Sequence, residues 1–172
     1  MNLTLNSILE RRKFAITLII ILLISISMGS STVIGSSGEL LNHAIGKPYA
    51  LSPSPNYSGC TDPGDVTQLT DEILTDGHWT RVDCVGWWFR EPDMLIITLD
   101  LEAVKNINKI AIRATGGGFA GVNFPEKITF SLSDDGSHFR NIGELTRDGM
   151  DPEKLEPQKG GTWYTYWFTL DG

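Results

Sequence analysis

The residues with the chemistry of a binding site are concentrated in one stretch, residues 65–88. This stretch contains three of the chain's five tryptophans (Trp79, Trp87 and Trp88). Two Asp-centred turns, at positions 71–72 and 76–77, interrupt it, because Asp bonds its own backbone and Gly reaches positive φ freely. Large aromatic side chains between turns either anchor a hydrophobic core or present a flat face to a ligand. The sequence leaves both interpretations open for each tryptophan.

Oxygen-bearing side chains are frequent in the same region: Asp62, Asp65, Asp71, Thr75 and Asp76. Carboxylate and hydroxyl oxygens suit a hard cation such as calcium. The alternative is a series of ordinary Asx turns, in which each aspartate bonds its own backbone. The chain has no Asp-x-Asp-x-Asp-Gly loop, so the spacing does not decide between a structural calcium and these turns.

Motifs of covalent or acid–base catalysis are missing from the sequence. It contains no Gly-x-Ser-x-Gly elbow, no His-Glu-x-x-His and no phosphate loop. Asp134 and Asp135 are adjacent, but Gly136 follows them, and this order predicts a hairpin turn rather than the carboxylate pair of a glycosidase. We therefore predict that the chain is not an enzyme.

The charge balance weighs against polyanionic partners. The 172 residues carry a formal net charge of −7. Nucleic-acid binding requires clustered Lys and Arg to neutralise phosphates, so we predict no nucleic-acid partner. A neutral ligand or a cation fits the acidic composition.

Cys60 and Cys84 are the only cysteines of the chain. In an oxidising compartment they are expected to form a disulfide that ties the Cys60 loop to the strand before Trp87. The alternative is two buried thiols. A zinc site is not indicated, because no CxxC or HxxxH spacing is present.

Residues 1–36 have the order of a targeting segment. A basic start, Arg11-Arg12-Lys13, precedes an apolar run from Phe14 to Met28, and small residues follow at 29–31. This pattern predicts an apolar export helix that acts as a signal peptide. The alternative is an uncleaved membrane anchor over residues 14–34, since a spanning helix needs about 20 residues. Both interpretations place the remainder outside the cytoplasm, as a secreted, cell-surface or periplasmic domain.

The rest of the chain has the signals of an all-β domain. Residues 37–42 form a linker, and residues 43–172 form the domain. A short edge strand is predicted at 49–51, a strand buried inside a sandwich at 94–101, and alternating strands at 107–114, 126–133 and 163–170. A further strand at 138–145 would bury Phe139 and Ile142. Short strands separated by turns predict a β-sandwich.

Three segments of this domain resemble the galactose-binding-like fold: TDPGDVTQLTDEILTDGHW with the following VGWW, then ITLDL, then VNFPEKITFSLSDDGSHF. That group includes discoidin (coagulation factor type C) domains and family 32 carbohydrate-binding modules. The resemblance covers roughly residues 43–170. It implies an eight-stranded jelly roll, a ligand site in the loops at one edge of the sandwich, and a structural calcium nearby.

The resemblance also implies site residues. Sugar sites of this type combine a histidine, an arginine, an asparagine and an aromatic side chain, and the nearest candidates are His78, Trp79, Arg113, Phe119 and Asn123. For Arg113 the alternative is a pair with a surface carboxylate. Asp71 matches the calcium loop best, and Asp76 is the second metal candidate.

Two departures from the family pattern have consequences. The family has Leu-Thr-Asp-Gly where this chain has Leu69-Thr70-Asp71-Glu72, and Glu is costly at the positive φ of a tight turn. The tight turn is therefore not expected at Glu72, and the alternatives are a sharp turn at Asp76-Gly77 or a shifted loop. Domains of this type also end with one more strand, whereas the sequence stops at Gly172. We therefore expect a domain that lacks its last strand, an exposed sheet edge, and further domains of the same protein beyond residue 172.

The functional hypothesis is an exported, non-catalytic module that binds carbohydrate and belongs to a larger secreted or surface glycan-active protein. The rival hypothesis is a structural or adhesive module whose aromatic side chains pack against protein partners. The two differ in what an aromatic substitution changes, which is ligand affinity in the first case and stability in the second.

Overall fold

The structure is a computed structural model, and it describes residues 15–21, 23–24, 41–74, 83–88, 94–117, 121–157 and 163–172. For residues 15–21 and 23–24 the description is confined to the path and pairing of the backbone. Over the described residues the elements are β-strands and short 3₁₀ helices, with no α-helix. The all-β prediction is confirmed.

Eleven strands are described: β1 Ala15–Ile21, β2 Leu23–Ile24, β3 Leu41–Asn42, β4 Tyr49–Ser52, β5 Gly86–Trp88, β6 Ile96–Leu99, β7 Lys109–Gly116, β8 Lys127–Leu132, β9 Arg140–Thr146, β10 Leu155–Pro157 and β11 Tyr164–Asp171. Three 3₁₀ turns accompany them, at Pro63–Val66, Arg147–Gly149 and Pro152–Lys154.

The largest sheet has five strands in the order β10-β11-β7-β1-β5, and every pairing in it is antiparallel. Two-stranded antiparallel pairs, β4-β6, β8-β9 and β2-β3, complete the described sheets. The edge strand predicted at 49–51 is β4, and the turn predicted at Asp134–Gly136 lies between β8 and β9, with Gly136 at a φ of 71°.

The main core lies against one face of β7 and β11. Trp87, Phe124, Phe130 and Phe168 are buried in it together with Tyr166. The rings of Tyr166 and Phe168 meet edge to face with centroids 4.7 Å apart, a geometry that aromatic pairs favour. Full burial of a side chain such as Phe168 contributes roughly 1.5–3 kcal/mol.

Residues 164–170 of β11 are all buried or partly buried, on both faces of the strand. Phe168 faces the core, whereas Thr165 on the opposite face is also buried. The neighbouring strand β7 is buried from Ile110 to Gly116. In the sheet, β11 lies between β10 and β7.

Two burial predictions were wrong. The apolar run at 94–101 was expected inside a sandwich, but β6 alternates, with the Ile96 side chain 49% exposed and Leu99 packed against the core. Among the described strands β6 pairs with β4 alone, and the face of β6 that carries Ile96 and Thr98 is exposed. Phe139 was expected to be buried and is 54% exposed, because it lies before the first residue of β9. Ile142, within β9, is partly buried against the core as expected.

The segment predicted as an apolar export helix includes β1, which runs between β5 and β7 as an extended strand. Its sequence, AITLIII, is rich in isoleucine, and β-branched residues favour extended backbone over helix. Among the described residues, no helix has both the length and the apolar character that a membrane crossing requires. The export helix stays a prediction.

Candidate functional site

A polar network occupies the face of β7 and β11 that points away from the main core. Register places Trp167 beside Arg113, and Thr165 beside Glu156 of β10. The side chains of Arg113, Glu156 and Thr165 therefore meet across three adjacent strands. Because these positions alternate with the core residues, the same strands that build the core also fix the network.

The three side chains bond one another directly. The Arg113 guanidinium donates from Nη2 to Glu156 Oε2 at 3.0 Å and to Thr165 Oγ1 at 2.9 Å. Thr165 Oγ1 in turn donates to Glu156 Oε2 at 2.9 Å. Arg113 is only 5% exposed, and its guanidinium is held by partners on β11 and on β10, the strand beyond it.

Electrostatics keep Glu156 ionised. Burial raises the pKa of its carboxyl group, but hydrogen bonds from Arg113 and Thr165, the positive charge of Arg113 and a hydrogen bond from Trp167 outweigh this effect and leave the pKa below its usual range. A carboxylate that accepts several hydrogen bonds loses its proton more easily. Glu156 is thus a fixed acceptor at neutral pH.

An open cavity of about 310 Å³ adjoins the network. We call it the Trp167 cleft, and its lining residues are Lys109, Glu153, Lys154, Glu156, Trp167 and Thr169. The lining combines one partly buried indole with two ammonium groups, two carboxylates and a hydroxyl. An apolar ring with a few convergent polar groups is the usual composition of a small-ligand site.

Sequence reasoning did not find the Trp167 cleft. The alternation of Trp167 and Thr169 on one face of the last strand was visible, but their neighbours come from other strands. Lys109 lies at the start of β7, and Glu156 lies on β10 beside Thr165. Cross-strand register depends on tertiary pairing, so the sequence had no signal that joined these residues.

Three of the five predicted ligand residues, His78, Trp79 and Phe119, lie outside the described residues. Arg113 forms an ion pair with Glu156 at the edge of the Trp167 cleft. This is the carboxylate pair that the sequence offered as the alternative to a ligand role. Asn123 lies at the far end of β7, where its backbone packs against Gly116. The ligand roles of these residues stay predictions.

The two described tryptophans of residues 65–88 have different surroundings. Trp87 is fully buried, and its indole Nε1 donates to the carbonyl of Pro53 at 2.8 Å. Trp88 is partly buried and stacks on Tyr57, with ring centroids 5.9 Å apart and planes inclined by 5°. Its backbone N–H donates to Asn56 Oδ1 at 2.6 Å. Trp87 is therefore a core residue, while one face of Trp88 is taken by Tyr57.

The predicted calcium position Asp71 lies in an exposed turn. Its Oδ1 accepts a hydrogen bond from the backbone N–H of Ile73 at 2.8 Å, as in an Asx turn. The next residue, Glu72, has a φ of 63°. The expectation that the tight turn would not form at Glu72 was therefore wrong, because glutamate adopts the left-handed conformation there. The other metal candidate, Asp76, lies outside the described residues.

Asp65 differs from the other described aspartates of this region. It is 6% exposed, and its Oδ1 has no hydrogen-bond partner among the described residues. Burial raises the pKa of its carboxyl group, a hydrogen bond with the Asp62 backbone lowers it, and the nearby Asp62 charge raises it further. The part of the chain that the structure describes contains no group of three His, Cys, Asp or Glu side chains with metal-binding geometry.

Cys60 and Cys84 are both buried, and the structure records them as thiols. Burial raises the pKa of Cys60 to about 12, and the neighbouring Cys84 contributes to the rise. The Cys60 sulfur also lies close to Gly86 at the start of β5: a Cβ at Gly86 would approach it to 2.5 Å. The two thiols therefore share one buried region, and their predicted disulfide stays a prediction.

Comparison with known proteins adds no relative: no protein-family model matches the chain, and neither a curated protein nor a solved structure does.

Proposed function

We propose that the chain is an exported, non-catalytic module that binds carbohydrate in the Trp167 cleft. The observation that carries this proposal is the partly buried indole of Trp167 beside polar groups of both charges, in a cavity open to solvent. The resemblance of residues 43–170 to the galactose-binding-like fold supports the same function and a jelly-roll topology. The targeting pattern of residues 1–36, which predicts export, supports a location outside the cytoplasm.

The chemistry of the cleft suits a neutral polyhydroxylated ligand. The face of an indole packs against the C–H groups of a sugar ring, while directional hydrogen bonds select the hydroxyl groups. Among the lining residues, Lys109 and Lys154 can donate hydrogen bonds, and Glu153 and Glu156 can accept them. A ligand with one strong charge would meet an unfavourable group of the same sign in the cleft.

The state of Glu156 supports a binding role over glycoside hydrolysis. A glycosidase needs one carboxyl group with a raised pKa to protonate the leaving group. Glu156 faces the cleft with a lowered pKa, because Arg113 and Thr165 stabilise its ionised form. It can orient a hydroxyl group, but it holds no proton to donate near neutral pH.

The test is binding of the full chain to a glycan array and titration calorimetry with the sugars that bind. We expect Trp167→Ala to weaken binding roughly tenfold or more, which corresponds to about 1.4 kcal/mol. Trp88→Ala is the matched control, since it removes an indole of similar exposure on β5, outside the cleft lining. Circular dichroism would verify that both variants fold.

The loop residues give a second arm of the same test. If His78→Ala or Phe119→Ala abolishes binding while Trp167→Ala does not, the ligand occupies the loop site implied by the family resemblance, and the cleft assignment is wrong. An array without any bound glycan, measured on correctly folded chain, would rule out carbohydrate binding altogether.

The second candidate is a structural or adhesive module. Apolar side chains are exposed in the loops, with Val66 at 70%, Ile73 at 61% and Val104 at 72%. Exposed apolar side chains of this kind fit contact with a protein partner. For this function, Trp167→Ala would lower the free energy of unfolding and leave glycan binding undetectable in both the parent and the variant.

A further inference from the structure

We propose that the ligand of the Trp167 cleft is a linear, uncharged oligosaccharide that lies along β11. At least two of its sugar rings occupy the cleft, one on the indole of Trp167 and the next beside Lys109. This inference rests on the proposed function and assigns the class of its ligand. A site for a single terminal sugar would need contacts for one ring, whereas the contacts of this cleft are spread along a strand.

The lining residues of the cleft form a row along β11. Trp167 and Thr169 are two positions apart on the same face of this strand, and both line the cleft. On the neighbouring strand β7, Arg113 pairs with Trp167. Lys109, which pairs with Asp171, precedes Arg113 by four positions (113 − 109). Four positions of a strand correspond to about 13 Å, and a single pyranose ring is shorter than this span.

The cleft also has a wall that follows the strand direction. β10 runs antiparallel beside β11, and the 3₁₀ turn Pro152–Lys154 leads directly into β10. Three lining residues come from this segment: Glu153, Lys154 and Glu156. Opposite the wall, Thr169 and its partner Ala111 have small side chains, which keep the surface low between Trp167 and Lys109. The cleft is therefore a groove along β11, a shape that suits an extended chain of rings.

Each end of the groove has an ion pair. At one end the Arg113 guanidinium lies 3.0 Å from Glu156 Oε2. At the other end Lys109 Nζ lies 3.8 Å from Asp171 Oδ1, and both side chains reach the solvent. Glu156 can accept a hydrogen bond from one sugar hydroxyl, while Lys109 and Asp171 can donate and accept at the next ring. Because each pair combines opposite charges, a chain of uncharged rings fits the groove better than a polyanion.

The two rings would bind by different contacts. The indole of Trp167 offers an apolar face to one ring, as aromatic side chains do in small-ligand sites. The next ring lies beyond the indole, where Thr169 and Lys109 line the cleft with polar groups. Affinity should therefore rise when a second sugar unit is added, and it should level off once the chain extends past Lys109.

The experiment measures the affinity of the full chain for sugars of increasing length by titration calorimetry. The probes are the β-1,4-linked series of glucose, galactose and mannose, each from one to five units. In a series that binds, we expect members of two or three units to bind at least tenfold more tightly than the monosaccharide. Each unit beyond the third should raise the affinity less than threefold. These measurements use the parent chain alone, so the folding of a variant does not affect them.

Two substitutions assign the rings to their contacts. Trp167→Ala should weaken the binding of every member of the series. Lys109→Met removes the ammonium group and keeps most of the apolar stem, so it should weaken the longer members at least fivefold and change the affinity of the monosaccharide less than twofold. Lys127→Met is the matched control, because Lys127 is also an ion-paired lysine at the start of a strand, but it lies on β8. It should leave all affinities unchanged.

The possible failures separate this proposal from the proposed function. Equal affinity for a monosaccharide and its longer members would overturn the extended ligand and leave carbohydrate binding in place. An equal loss of affinity for short and long members in Lys109→Met would do the same. Binding that rises with length but is not weakened by Trp167→Ala would place the chain of rings outside the cleft. No binding by any of the three series would overturn the extended ligand together with the proposed function.

Discussion

Glu72 is a residue whose backbone conformation conflicts with its side chain. Its φ of 63° lies in the left-handed region, where a Cβ crowds the backbone and costs roughly 1–2 kcal/mol. The resemblance to the galactose-binding-like fold implies glycine at this position, so the tight turn was not expected to form with glutamate. The turn forms despite this strain. In it, Oδ1 of the neighbouring Asp71 accepts a hydrogen bond from the backbone N–H of Ile73, as in an Asx turn.

We expect Glu72→Gly to raise the free energy of unfolding by about 0.5–1 kcal/mol, since relief of the left-handed strain exceeds the added entropy of glycine in the unfolded chain. Urea denaturation would measure it. Glu102→Gly is the comparison, because Glu102 also has a positive φ but forms an ion pair with Lys47. The free energy of unfolding should rise less in Glu102→Gly than in Glu72→Gly. A lower free energy of unfolding in Glu72→Gly would contradict the strain at this residue.

Asp65 is the second residue whose environment is unfavourable, because its carboxyl group is buried and its Oδ1 has no hydrogen-bond partner among the described residues. Its raised pKa means that the folded state binds a proton more tightly than the unfolded state. The contribution of Asp65 to stability therefore falls as pH rises from the ordinary carboxyl pKa through the raised one, and the loss is complete above it. Asp65→Asn should flatten this dependence and make the variant more stable than the parent near neutral pH.

If Asp65 belongs to the calcium site that the sequence predicts near Asp71, added calcium should make the parent more stable than Asp65→Asn. Thermal unfolding with and without calcium chloride would show it: the parent should gain stability on calcium addition, and Asp65→Asn should not. An equal gain in both would place the cation elsewhere. A variant less stable than the parent at neutral pH without calcium would show that the carboxylate has favourable contacts.

At the scale of elements, β7 joins the core to the polar network, and its end is tightly packed. A Cβ at Gly116 would approach the backbone nitrogen of Phe124 to 2.5 Å. Backbone cannot rotate away as a side chain can, so the strand must move. Gly116 thus allows the segment around Asn123 to lie directly on β7.

We expect Gly116→Ala to lower the free energy of unfolding by about 1–3 kcal/mol, the usual cost of overpacking. Gly149→Ala is the matched control: its added Cβ would have no neighbour nearer than 3.8 Å, at the Thr146 hydroxyl. The control should change stability by less than about 0.5 kcal/mol. Chemical denaturation would measure the free energy of unfolding of both variants. Equal changes from the parent in the two variants would contradict the close packing of Gly116.

The sequence predicted most of these elements but not all of their surroundings. Alternation identified β7, β8 and β11, and the Asp-Asp-Gly turn identified the connection of β8 to β9. The apolar run of β6 was misjudged, because composition reports which residues avoid water but not how many faces a strand has to cover. Ile96 is exposed since β6 lies beside β4 and outside the five-stranded sheet.

At the scale of the whole molecule, two buried thiols bring together distant parts of the sequence. Cys60 lies in the proline-rich loop region, and Cys84 precedes β5. If they pair after export, the crosslink closes a loop whose ends are 24 positions apart. A crosslink of this size stabilises by on the order of 3 kcal/mol in the chain-entropy model.

We therefore expect reduction of the exported chain to lower its free energy of unfolding by roughly 2–4 kcal/mol. Denaturation with and without reductant, together with intact mass before and after reduction, would measure the effect and confirm the bond. The Cys60→Ala/Cys84→Ala double variant is the control and should be insensitive to reductant. An exported chain with two alkylatable thiols after unfolding would disprove the disulfide.

The sequence by itself determined the all-β class and the positions of most strands and turns, because these depend on local periodicity and on the conformational preferences of single residues. Only the tertiary structure decided that Arg113 meets Glu156 and Thr165, that Trp167 borders a cleft with Lys109, and that residues 15–21 lie between β5 and β7. The physical reason is register: which strands become neighbours, and at which residue, depends on long-range pairing that no local pattern records.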